Sequence, residues 1–175
     1  MKAKWGLDIL YTKEMNSFIT PLDDQSNPRI QVVKLSLDIP IILINVYLPA
    51  SSLPQCEFDD AINQLSSIIS NYQADAANLL SGDFNRSLYR KNPSDVKFQT
   101  FCSLAGIIPA AGTTDTPSYH GYNGTSSKID YVMMHQESCQ LFGISKDDLR
   151  IIYQPCQEED PSIISTQSIL SFKLM

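Results

Sequence analysis

A chain of 175 residues has the length of about one domain, enough for a core of two or three layers. With 43% hydrophobic and 18% charged residues it has the make-up of a globular protein, and no apolar run reaches the roughly 20 residues that span a bilayer. The net charge of −6 argues against a protein that coats nucleic acid with a basic face, though not against an enzyme that meets phosphate through a metal ion.

The amino-terminal third reads as strands. The segments 5–12 (WGLDILYT), 17–22, 29–37 and 41–48 are rich in β-branched and aromatic residues and are separated by polar or proline-bearing breaks. The DDQSNP cluster at 23–28 is a turn, and the SLDIP stretch at 36–40 is short enough for a hairpin connection. The run 41–48 is almost wholly apolar, as a central strand covered on both faces would be. After the ASSLP loop, Phe58, Ile62, Leu65, Ile69 and Tyr72 recur at steps of four and three, which predicts a helix packed on the sheet. AANLLSGD returns to a short strand. A second helix follows, with Ser94 as N-cap, Gly106 as its stop, and Val96, Phe101, Leu104 and Ala105 on its apolar side. The turn-rich stretch 109–127 is long enough to be a functional loop. Further strands are expected at 128–135, 149–155 and 169–175. Helices flanking stacked sheets fit this order better than an all-parallel dinucleotide-binding unit, because no Gly-x-Gly-x-x-Gly follows a strand.

Cys56, Cys102, Cys139 and Cys156 are irregularly spaced and include no Cys-x-x-Cys pair, so they read as thiols and not as disulfides or zinc ligands. No secretory signal is visible in the first residues, which leaves an intracellular location, nucleus or cytoplasm, and no membrane partner, as the simple expectation. The glycosylation sequons at Asn85 and Asn123 would matter only in a secreted protein.

Four residues at strand ends carry candidate chemistry. In LLSGDFNRSL, Asp83 and Asn85 are two apart and would share a face if the chain stayed extended, with Phe84 turned to the core. A carboxylate can hold a hard cation or take a proton from water, and a neutral amide can orient a phosphate oxygen. Alone, Gly82, Asp83 and Asn85 equally describe a turn that closes a strand. Asp130 lies inside the apolar KIDYVMM strand, where an ionised carboxylate is costly unless paired, metal-bound or at a cleft. Tyr47 ends the central strand just before Pro49 and, alone, reads as a core tyrosine.

Taken together, IILINVYLP, NLLSGDFNRSL, TPSYHGYNGTSSKIDYVM and ISTQSILSFKL resemble, in order, the endonuclease/exonuclease/phosphatase family, and most closely the endonuclease domains of non-LTR retrotransposons. The resemblance implies an α/β fold, a four-layer sandwich of two packed mixed β-sheets flanked by helices, here lacking the first strands, so that residues 1–175 form a single partial domain. It implies hydrolysis of phosphoester bonds with Mg2+ or Mn2+, and DNA or another phosphoester as partner. Tyr47 matches the tyrosine that contacts the scissile phosphate, Asp83 the aspartate that orients or deprotonates the attacking water, and Asn85 its partner amide. Asp83 and Asn85 are also the candidate metal-side pair. Asp130 matches the aspartate that orients the family's catalytic histidine, and Ser126, Ser127 and Lys128 fall on the substrate side.

Two parts of that pattern are absent. The metal-binding glutamate of the family's opening strands has no match, since Glu14 comes too late and Glu57 opens a later helix. Where the family closes on Ser-Asp-His or Ser-Thr-His, this chain has Ser165-Thr166-Gln167, and glutamine cannot shuttle a proton near neutral pH. His120 and His135, the two histidines, are expected in surface or loop roles. Weak or absent turnover is the expectation, with a phosphate- or partner-binding module or a small-molecule phosphoesterase as the alternatives.

Overall fold

The computed structural model describes residues 7–110, 117–120 and 124–145. The strands expected at 149–155 and 169–175 lie outside them. The described residues build a mixed sheet in the order β1 (Ile19–Pro21), β2 (Ile30–Leu35), β3 (Ile41–Tyr47), β4 (Ala77–Asp83), β8 (Asp130–His135), β5 (Ile107–Pro109). A two-stranded ribbon of β6 (Tyr119–His120) and β7 (Ser126–Ser127) stands beside it. The α/β architecture is therefore as expected, and the described residues supply one six-stranded sheet with its helices and this small second sheet.

The β2–β3 hairpin forms where the sequence places it, through the 36–40 turn. β3 and β4 are parallel and are joined by α1 (Gln55–Tyr72), a βαβ crossover that follows from the helical stripe between two buried strands. Alternation along the strands divides the sheet into two apolar faces. Ile42, Ile44 and Val46 of β3, Leu80 of β4, and Tyr131 and Met133 of β8 pack with Phe58, Leu65 and Ile69 of α1 and with Phe98 and Phe101 of α2 (Pro93–Leu104). Ile41 and Leu43, Ala77 and Leu79, and Val132 and Met134 point to the other face, where Cys139 and Ile144 join them. Each such fully buried aliphatic side chain contributes about 1.5–3 kcal/mol of gross transfer free energy, which is why the central strands hold their register.

Several expectations are corrected. Residues 7–12 run without ladder partners and are not a strand; Ile9 packs on the sheet while Leu10 is 89% exposed, and among the described residues no strand lies alongside to realise the β-propensity. α2 is capped at Asn92 with Pro93 as its first residue, and Ser94 lies inside it. Its buried side is Asp95, Phe98, Phe101 and Cys102, while Val96 and Leu104 face outward. The rotation is set by Asp95, which is fully buried because it accepts the Ser87 N–H at 2.8 Å and pairs with Arg90 at 3.0 Å. Gly106 ends the helix as expected, at φ +60°. The sequence reading did not anticipate β5 or the short helix α3 (Gln136–Leu141).

Gly82 decides how closely β4 approaches β3. At φ +135° its backbone sits where a Cβ would lie 2.0 Å from the Val46 carbonyl oxygen. Gly124, at φ +77°, has nothing within 4 Å of the same position. Gly82→Ala is expected to cost at least about 3 kcal/mol, from strain plus a backbone clash, whereas Gly124→Ala costs about 1–2 kcal/mol from backbone conformation alone. Urea unfolding of the two variants measures the difference; equal midpoints would show that β4 relaxes away from β3.

Candidate active site

The register of the sheet brings three of the four expected residues onto one rung. Tyr47 pairs laterally with Asp83 across the parallel β3–β4 contact, and Asp83 pairs with Asp130 across the antiparallel β4–β8 contact. Each follows the parity of the face opposite α1 and α2, being in step with Leu43, Leu79 and Val132. The rung sits where β3 and β4 end and β8 begins, so the three side chains lie at one edge of that face.

Asn85 reaches the site by another route than the one expected. The chain does not stay extended past Asp83; Asn85 takes a left-handed conformation at φ +49°, which asparagine tolerates better than most residues. Its N–H donates to Asp83 Oδ1 at 2.7 Å, closing an Asx turn, and its side-chain Nδ2 donates to the Leu48 carbonyl at 2.9 Å. One amide N–H is thereby engaged and the second can still orient an oxygen. The Leu48 N–H in turn donates to the Asp83 carbonyl at 2.9 Å. The turn reading and the site reading of Gly-Asp-Phe-Asn thus describe the same atoms. Phe84 is fully buried, as expected, against Phe98 and Tyr131 at ring-centroid distances of 5.3 and 5.9 Å.

Two carboxylates on one rung are electrostatically uncomfortable. Burial, and then the charge of Asp130, push the Asp83 carboxyl up to about 7, and the Asn85 N–H only partly offsets this. Asp130 is 7% exposed and is also pushed up by burial, against the pull of the Ser118 hydroxyl and the Lys128 ammonium. Both acids therefore favour a bound proton or a cation.

The substrate-side residues are not a simple loop. Ser126 and Ser127 form β7 against β6, and Ser126 Oγ lies 3.0 Å from His120 Nδ1. Lys128 is 4% exposed, with its ammonium 5.9 Å from the Tyr131 ring centroid, so it faces inward beside Asp130. His120 is exposed on the ribbon, as expected. His135 is not a surface residue: it is buried, its Nδ1 caps α3 by accepting the Ser138 N–H at 3.2 Å, and burial lowers its pKa. Gln167 lies outside the described residues.

Sequence reasoning missed Ser118. Its Oγ accepts the backbone N–H groups of Ile129 and Asp130, each at 3.1 Å, and so fixes the entry to β8. A serine in a turn-rich stretch gives no periodic signal that could have singled it out. A groove of about 850 Å³ lies between α1 and α2, lined by Ile62, Ile69, Val96, Thr100 and Phe101, on the other side of the sheet from the Tyr47–Asp83–Asp130 rung. The site is an open strand-end row and not this groove.

With that geometry in place, the fold can be compared with known structures. The endonuclease domain of TRAS1, a telomere-specific non-LTR retrotransposon, matches with a TM-score of 0.60 at 14% identity over 76% of this chain. A Neisseria 3′ phosphatase, NExo, bound to a product DNA hairpin, matches with a TM-score of 0.50 at 15% identity over 75% of this chain. In each case this chain spans 60% of the other protein's length. The described residues therefore have the fold of the endonuclease/exonuclease/phosphatase proteins that the sequence motifs resemble. No family model and no curated protein sequence matches the chain.

The Asp83 shift has a definite sign. Its folded pKa lies above the unfolded value near 4, so the folded state holds the proton more tightly. The contribution of this group to stability is complete below pH 4, falls between pH 4 and 7, and is lost above about 7. Asp83→Asn is expected to gain stability relative to the native chain as the pH rises from 4 to 8. Urea midpoints at both pH values measure this, and a pH-independent difference would show that Asp83 ionises freely.

Proposed function

We propose that this chain carries half of a metal-dependent phosphodiesterase site that acts on DNA, and that by itself it turns DNA over weakly or not at all. The observation that supports the reading is the single rung of Tyr47, Asp83 and Asp130 closed by Asn85. In this reading the Tyr47 hydroxyl and the Asn85 amide orient phosphate oxygens, Asp83 orients or deprotonates the attacking water, and Asp130 sets the charge around it. Ser126, Ser127 and Lys128 border the substrate, with Lys128 acting through its charge beside Asp130.

The donors fit a hard divalent ion in part. Mg2+ takes one or two carboxylates and completes its shell with water and substrate phosphate, and Asp83, with Asp130 beside it and the Asn85 amide near, offers such a set. Among the described residues no group of three or more His, Cys, Asp or Glu completes a protein cage. Bound Mg2+ or Mn2+ would neutralise developing charge on the phosphate.

Low turnover follows from the absent histidine. A positioned acid–base group accounts for about 10²–10⁴ in rate, and Gln167 cannot take that role.

The test is nicking of supercoiled plasmid DNA with Mg2+ and, separately, Mn2+, comparing the native chain with Asp83→Ala. The expected result is no difference, or one near the detection limit. Robust nicking that disappears in Asp83→Ala would overturn the low-activity reading. Hydrolysis of small phosphate esters without any action on DNA would move the substrate class.

A further inference from the structure

The residue that follows the Asp83-Phe84-Asn85 turn is a buried cation for which neither the motif nor the core accounts. Arg86 is 2% exposed, with its guanidinium carbon 4.6 Å from the ring centroid of Phe58 on α1. One nitrogen, Nη1, donates to two carbonyls: Pro49 at 2.9 Å and Asn85 at 2.8 Å. Among the described residues its buried Nε has no hydrogen-bond partner. The acid that acts on it, Asp95, is engaged by Arg90 and by the Ser87 N–H.

Packing does not explain this residue. A buried guanidinium costs several kcal/mol unless it is well paired, and a methionine would cover Phe58 without that cost. What only a multi-donor group can do there is fasten two backbone oxygens at once. The two oxygens belong to the two strand exits that make the site. Pro49 is two residues past Tyr47, and Asn85 is two residues past Asp83. Two further bonds run across the same gap, from Asn85 Nδ2 to the Leu48 carbonyl and from the Leu48 N–H to the Asp83 carbonyl. Arg86 is the member that grips the Asn85 carbonyl, on the far side of the Asn85 Cα from the N–H that donates to Asp83 Oδ1, and so holds the left-handed residue between the two peptides.

We infer that Arg86 is the positioning residue of this site, a clamp that locks the exit of β3 to the Asn85 turn and so fixes Tyr47, Asp83 and Asn85 relative to one another. Its catalytic meaning rests on the phosphodiesterase reading above, whereas the clamp itself is a property of the fold. The two can fail separately.

Arg86→Lys retains the charge and a multi-donor nitrogen, which ends one bond short of the Nη1 position; Arg86→Met retains the apolar cover over Phe58 and loses every donor. Phe58→Leu, which leaves the carbonyl contacts untouched, is the control. In 15N-labelled protein, well below the melting temperature, Arg86→Met is expected to speed exchange of the Asn85 and Leu48 amides by about tenfold or more and Arg86→Lys by less, while the α1 amides keep their protection. Phe58→Leu is expected to leave the ratio of the Asn85 and Leu48 rates to the α1 rates unchanged. Titration with inorganic phosphate and Mg2+, read on the Asn85 side-chain amide, is expected to give an apparent Kd about tenfold weaker in Arg86→Met.

Unchanged exchange at Asn85 and Leu48 in Arg86→Met overturns the clamp, as does a uniform loss of protection across the sheet. Unfolding of both Arg86 variants also overturns it, because Arg86 is then a stability residue of the whole fold. If the native chain shows no response to phosphate while the exchange result holds, the clamp stands and the phosphodiesterase reading falls.

Discussion

The close approach of β4 to β3 at Gly82 is the constraint on which the site depends. Parallel strands need a crossover, and α1 supplies it by burying Phe58, Leu65 and Ile69 against the same face that carries Ile42, Ile44 and Val46. The absence of a Cβ at Gly82 then lets the Val46 carbonyl sit where no other residue would admit it. One rung further on, the same register sets Tyr47 beside Asp83, and the antiparallel β8 adds Asp130. Three residues separated by 36 and 47 positions in sequence become neighbours through two strand pairings that meet at β4.

That juxtaposition determines the electrostatics. Inside a sheet edge the two carboxyls cannot both ionise cheaply, and burial contributes more to the Asp83 shift than Asp130 does. Lys128 eases Asp130 from within, and the Asn85 N–H eases Asp83. What these partners leave uncompensated is what a proton or a hard cation would neutralise. The fold therefore stores an unfavourable interaction at the place where the motif residues meet, a common arrangement where acids are held for chemistry.

Much of this was legible in the sequence because strands and the helical stripe of α1 have periods that local patterns reveal. β2, β3, β4 and β8 stand where their apolar runs place them, and so do the turn at 36–40 and the stop at Gly106. The misplacements share a cause. At 7–12 the propensity was present and, among the described residues, the partner strand was not; in α2 the apolar side rotated because Asp95, a charged residue, is buried by its bonds to Arg90 and Ser87. The motif singles out Tyr47, Asp83, Asn85 and Asp130, which the sheet and its turn bring together, but not the left-handed turn at Asn85, the inward setting of Lys128 or the contacts of Ser118 and Arg86. These depend on which backbone carbonyls and N–H groups come within reach in three dimensions, and a one-dimensional pattern does not encode that.

The charge of the chain bears on how such a site could meet its substrate. A net charge of −6 and two acids at the strand ends disfavour the approach of a phosphodiester, and the cations beside them, Lys128 and Arg86, are both buried and turned inward. Hydrogen bonds from Tyr47 and Asn85 are neutral and cannot reverse the sign of that field. A divalent ion held at Asp83, with the Asn85 amide near and Asp130 beside it, would offset that repulsion by its charge. On the proposed phosphodiesterase reading, such an ion would serve the approach of the phosphate as well as its cleavage.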